Sequence, residues 1–146
     1  MAKAQRNLLA PGLGLVGAFI VTVACSSGTK MTPGASPSTD RALEFALAVA
    51  SGDAVRAHGM LASKLQSAMT AEGLAAQYGE MVAYGTGAPT IVKVMTTMDT
   101  WPDKQPGDLE WVYVAIANDT YSEAVTVVVA QEQSRLVIRS VEWGRP

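Results

Sequence analysis

The sequence predicts an α+β domain, with N-terminal helices packed on a curved four-stranded antiparallel sheet and a signal segment ahead of both. Three observations lead there. Apolar residues recur at helical spacing between Asp40 and Ala83, then switch to alternation and β-branched runs after Thr90. The connections between the later runs are short, which makes the sheet an antiparallel meander. A separate low-charge apolar run, Leu8 to Ala24, follows Lys3 and Arg6 and gives way at once to Ser26-Ser27-Gly28-Thr29-Lys30.

That first run has the layout of a secretory signal: basic start, apolar middle, small residues at the cut. The basic end stays at the cytoplasmic face while the apolar part enters the bilayer. Its 17 residues, 8 to 24, are at the lower edge of what crosses a hydrocarbon core of about 30 Å. Pro11, Gly12, Gly14 and Gly17 weaken it as a stable helix. Val21-Thr22-Val23-Ala24-Cys25 resembles the lipobox of bacterial lipoproteins, with Thr22 where an aliphatic residue is usual. The resemblance implies that residues 1–24 are a signal peptide cut between Ala24 and Cys25. It also implies that Cys25 carries a diacylglycerol and an acylated amino terminus, with palmitate as the expected acyl group. The membrane is then a partner through this anchor. The implied location is the bacterial cell envelope: the outer membrane or periplasmic face if Gram-negative, the outer face of the plasma membrane otherwise. An uncleaved anchor and plain cleaved secretion are the competing readings. Cys25 is the only cysteine, so no internal disulfide can form.

Ser26 to Thr39 is rich in Ser, Thr, Gly and Pro, and Met31 is its only large apolar residue. Such a composition buries no core, so residues 25–39 read as the lipidated cysteine and a flexible tether. Residues 40–146 are enough for one domain with one core. Without Lys3 and Arg6, nine basic residues face 13 acidic ones, a net charge of −4. The charges are scattered. Nucleic acid is therefore not an expected partner, because phosphate binding needs clustered Lys and Arg.

Asp40 to Ser51 reads as the first helix, with Leu43, Leu47 and Ala50 on its stripe and Phe45, Ala46 and Val49 widening it. Ser38, Thr39 or Asp40 would cap its start and Gly52 would end it. Asp53 offers a cap for a second helix with Val55, Ala57, Leu61 and Leu65 facing inward. Thr70 would cap a third, running to about Ala83. Gly85-Thr86-Gly87-Ala88-Pro89 breaks the helical pattern. Four strands follow over Thr90–Thr100, Leu109–Ala117, Ala124–Ala130 and Leu136–Trp143. Val92, Val94 and Met98 are expected on one face of the first. In the second, Trp111 and Tyr113 face one side and Val112, Val114 and Ile116 the other. One side would meet the helices, the other the inside of the curved sheet or a partner chain.

The run Ala42-Leu43-Glu44-Phe45-Ala46-Leu47-Ala48-Val49-Ala50-Ser51-Gly52-Asp53, with Ala57 and Leu61 after it, resembles the opening of NTF2-like domains, the cystatin-like α+β cone. The resemblance covers residues 40 to 146. It implies a first helix ending in Gly-Asp, two further helices and a curved antiparallel sheet. That superfamily holds isomerases, dehydratases, peptide-transport factors and non-catalytic binding modules, so the fold alone does not assign a function.

An enzyme built on such a cone needs a general base and a polarising donor in an apolar pocket. Tyr78, Asp99, Trp101, Trp111 and Tyr113 are the candidate pocket residues, with Tyr84 a further hydroxyl. No catalytic residue is assigned among them. His58, the only histidine, has no evident orienting partner. HExxH, paired cysteines and acidic calcium loops are missing from the sequence, so no metal and no cofactor is expected. Gly12-Leu13-Gly14 and Gly85-Thr86-Gly87 open no helix after a strand, so neither cradles phosphate. Asn118-Asp119-Thr120 reads as a turn. The expected function is non-catalytic binding of an envelope protein, of a second copy as a homodimer, or of a small apolar ligand. The alternatives are an isomerase- or hydrolase-type enzyme using the cone pocket, and a structural subunit of an envelope complex.

Overall fold

The computed structural model describes residues 36–145, and the signal peptide, the cut at Ala24 and the lipidation at Cys25 lie outside them. Four helices come first: α1 (Pro37–Ala50), α2 (Ala54–Gly59), α3 (Ser63–Ala68) and α4 (Ala71–Met81). Four strands follow: β1 (Ile91–Met98), β2 (Asp108–Ala117), β3 (Ser122–Glu132) and β4 (Arg135–Trp143). They form one open antiparallel sheet in the order β1-β2-β3-β4. The expected α+β class, helices before an antiparallel sheet, is what the chain adopts.

The first helix starts at Pro37, three residues earlier than expected, inside the stretch read as tether. Proline at the first helical position needs no N–H partner, and Ser36 Oγ accepts the Thr39 N–H at 3.0 Å. Ser36 and Thr39 both donate from their hydroxyls to Glu110 of β2, at 2.5 and 3.1 Å. The helix start is thus bolted to the sheet. The buried stripe of α1 is Ala42, Phe45, Ala46 and Val49, with Ala48 also buried. Leu43 and Ala50 flank it partly buried, so the stripe is rotated from the Leu43–Leu47–Ala50 line.

The single second helix expected from Val55, Ala57, Leu61 and Leu65 is two short helices. Val55 is 77% exposed rather than inward. The break comes because Met60–Ala62 pairs with the sheet instead of continuing the helix. The Ile138 N–H donates to Met60 O at 2.9 Å and the Ala62 N–H to Ile138 O at 2.8 Å. This bridge covers part of the β4 edge and buries Leu61. His58 supports it from behind: its Nε2 meets the carbonyls of Met69 at 2.7 Å and Gln66 at 3.3 Å. Thr70 caps α4 as expected, accepting the Gly73 N–H at 3.0 Å.

Val112, Val114 and Ile116 of β2 face the helices, with Val125, Val127 and Val129 of β3 and Ile138 of β4 in the same core. Trp111 and Tyr113 face the other side, as expected. Val92 and Val94 point inward, but Met98 does not join them. The ladder slips between Val94 and Thr96, and the extra residue Met95 turns Met98 to the outer face, where it pairs with Trp111.

The β3–β4 turn is tighter than a five-residue loop. Gln133 and Ser134 form a two-residue connection with φ of 47° and 65°. Both lie in the left-handed region, which L-residues other than Asn and Asp disfavour. Replacing them with Asn-Gly is expected to stabilise the domain by about 1 kcal/mol. Urea denaturation reads this directly, and an unchanged midpoint would show that the turn carries no strain.

Candidate functional site

Three elements meet at the end of the molecule where α4 stops. Gln77, Glu80 and Met81 of α4, Glu123 of β3, and Trp143 and Gly144 at the end of β4 line an open groove of about 430 Å³. Trp143 is fixed on two sides. Its indole N–H donates to Gln77 Oε1 at 2.7 Å, and its ring leans on Tyr78 with centroids 6.3 Å apart. Glu123 is held by the Tyr84 hydroxyl, which donates to Oε1 at 2.7 Å and has its pKa raised by that bond. The groove thus offers two carboxylates, a thioether and an indole face, with a wide mouth. Among the described residues that line it, none is a buried base.

The five candidate pocket residues do not come together. Tyr78 lies on the helix side of the sheet, beside the groove. Trp111 and Tyr113 stack on the opposite face, 6.2 Å apart and 7° from parallel. Asp99 and Trp101 belong to the β1–β2 connection. There Lys104 Nζ donates to the Asp99 backbone carbonyl at 2.5 Å and lies 5.2 Å from the centre of the Trp101 ring. The Asp99 side chain is at an exposed residue, not at the end of a closed pocket. The groove residues Gln77, Glu80 and Glu123 were not legible as a group, because each is an ordinary surface residue of its own element.

Tyr78 has the environment a polarising donor needs, without a base beside it. Burial, and then the neighbouring Tyr121 hydroxyl, push its pKa well above the usual tyrosine value. The unfolded chain releases this proton near pH 10, the folded chain only at higher pH. The contribution to stability is therefore intact below about pH 10 and lost as pH rises toward the folded value. Tyr78→Phe is expected to flatten the loss of stability above about pH 10, read from urea midpoints. An equally steep loss in the variant would assign the alkaline limb to other groups.

Other polar side chains are committed to holding the fold. Asn118 Nδ2 donates to the carbonyls of Thr86 and Ala88, at 2.9 and 3.1 Å. Its Oδ1 accepts the N–H groups of Thr120 and Tyr121, at 2.8 and 3.1 Å. The turn expected at Asn118-Asp119-Thr120 is therefore also the clamp on the Thr86–Ala88 loop. Among the described residues no cluster of three or more metal-ligating side chains occurs. No described helix is long and apolar enough to cross a membrane.

The fold and groove define an open antiparallel sheet with one helical layer, carrying a shallow, mixed-polarity groove at one end. Comparison of the chain with family profiles, with curated proteins and with solved structures finds no match.

Proposed function

We propose that the chain is an exported bacterial lipoprotein, anchored through Cys25, whose NTF2-like domain is a non-catalytic binding module in the cell envelope. The observation that carries the anchor is the basic–apolar–small layout ending at Ala24-Cys25, directly ahead of a Ser/Gly/Pro-rich stretch. The order of elements supports the NTF2-like reading, since helix-Gly-Asp-helix leads into a four-stranded antiparallel sheet. Binding rather than catalysis is supported by how the polar groups are spent. His58 is tied to two carbonyls and Asp108 to Arg139. A partner or small ligand with an apolar body and a positive or donor group would suit the groove of Glu80, Glu123, Met81 and Trp143.

Metabolic labelling with a clickable fatty acid tests the anchor. The expected result is label on the wild-type chain and none on Cys25→Ala, which should also leave the membrane fraction. Label that persists in Cys25→Ala would sink the lipoprotein reading. Crosslinking in intact cells, followed by mass spectrometry, tests the binding module. The expected product is a crosslink from the groove to one envelope protein, lost in Glu123→Lys.

A further inference from the structure

We infer that the helix-free face of the sheet, at the end carrying the β1–β2 connection, is a membrane-docking surface for a zwitterionic lipid interface. The inference rests on the lipid anchor at Cys25 proposed above. It adds that the domain lies down on the bilayer instead of standing off it.

The first argument is where the chain enters the domain. Ser36 is pinned to Glu110, and Glu110 and Trp111 are successive β2 residues that face opposite sides of the sheet. Ten residues, 26 to 35, separate Cys25 from Ser36. Even fully extended, that segment spans at most about 40 Å. The chain thus enters the domain at the end of the sheet that bears Trp111, within that reach of the anchor.

The second argument is what that end presents. Among the described residues the helices cover only the other face, where the core cluster lies. On the free face, Trp111 and Tyr113 lie stacked with Met98 paired beside Trp111. Leu109, where the β2–β3 ladder slips, is 39% exposed. The adjoining 99–107 connection adds half-buried Trp101 with the Lys104 ammonium over its ring. Trp and Tyr concentrate at bilayer interfaces, where an apolar ring and a polar edge are both satisfied, and a lysine beside them reaches the headgroups. Two of the three tryptophans are at this end. The third, Trp143, pairs with Val125 on the helix side and is held by Gln77.

Charge selects the lipid. Asp108 and Arg139 neutralise each other here, and Lys104 is outnumbered by Asp99 and Asp103. A surface of this balance gains nothing from anionic headgroups, so contact is apolar and aromatic and resists salt.

The test uses the full chain, acylated in cells, purified and reconstituted into phosphatidylcholine vesicles with bromine-labelled acyl chains. Bromine should quench tryptophan emission, unchanged by about 0.5 M salt because little charge is involved. Trp101→Phe and Trp111→Phe together should cut the quenching at least about twofold, and Trp143→Phe should leave it as it was. Trp101→Phe alone, in a loop outside the core, gives a partial loss even if Trp111→Phe disturbs the sheet. A chain that is acylated and floats with the vesicles but stays unquenched overturns the docking alone. So does quenching that is absent while the mass doubles, which would put a second copy on this face. A chain that carries no acyl group and does not float overturns the anchor, and the docking with it.

Discussion

Asp108→Ala is expected to destabilise the domain by about 3 kcal/mol, the cost of breaking a buried ion pair from one side. The Asp108 side chain is fully buried, and its two oxygens receive the fork of Arg139, Nη2 at 2.8 Å and Nε at shorter range. Oδ2 also accepts the Gln105 N–H at 2.8 Å, which closes the turn ahead of β2. The pair joins β2 to β4, which are not neighbours in the sheet. It must cross β3, and it does so where Ala130 sits directly between Asp108 and Val137. A small residue there leaves room for the guanidinium. Arg139 is free to reach over because it is the extra residue of the β3–β4 bulge, between Ile138 paired with Val129 and Ser140 paired with Val128.

The Ala variant leaves the guanidinium without its counter-charge and the Gln105 N–H without an acceptor. Asp108→Asn keeps an acceptor for Gln105 and is expected to cost about half as much. Asp108→Ala with Arg139→Met removes both charges and should recover part of the loss, since the paired charges are expensive to bury. Urea denaturation of the wild type, Asp108→Ala, Arg139→Met and the double variant reads the cycle. If Asp108→Ala costs under about 1 kcal/mol, the pair is solvated and does not hold the strands.

The order of elements was legible because each carries its own period. Phe45, Ala46 and Val49 repeat at helical spacing, and Val112, Val114 and Ile116 alternate. What escaped is set by partners distant in sequence. Val55, Ala57, Leu61 and Leu65 fit a helix as well as they fit the observed break, and only the bonds of Met60–Ala62 to Ile138 decide between them. Met98 follows the alternation of Val92 and Val94 until the bulge at Met95 reverses it. The Asp108–Arg139 pair is invisible for the same reason, since it needs two ladder slips and a small residue between them. The groove draws single residues from α4, β3 and β4, so no local pattern marks it. The start of α1 did have a signal, Ser36-Pro37, which the Ser/Pro-rich surroundings concealed.

Gly85→Ala is expected to cost about 2–3 kcal/mol, for a reason unrelated to backbone freedom. A Cβ at Gly85 would stand 2.5 Å from Tyr121 Cδ1 and 2.8 Å from Tyr121 Cβ. The ring edge could swing aside if it were free, but Cβ is rooted to the backbone just ahead of β3 and cannot. Tyr121 is 4% exposed, its hydroxyl reaches Gly87 O at 3.5 Å, and its neighbour is Tyr78. Its own N–H is held by Asn118. Relief therefore requires the 85–88 loop to lift, which strips the Asn118 amide of the Thr86 and Ala88 carbonyls. Tyr121→Gly removes both the ring and the Cβ and leaves a cavity, with a cost of its own of about 4 kcal/mol. In that background Gly85→Ala should cost less than about 1 kcal/mol, because only Thr120 Oγ1, at 3.0 Å, still faces the added methyl. The coupling is what distinguishes a clash with Tyr121 from a general preference for glycine in this turn. If Gly85→Ala is as costly without the ring as with it, the glycine is needed for the path of the loop. The loss should also reach the groove, since the lifted loop carries Tyr84, whose hydroxyl positions Glu123.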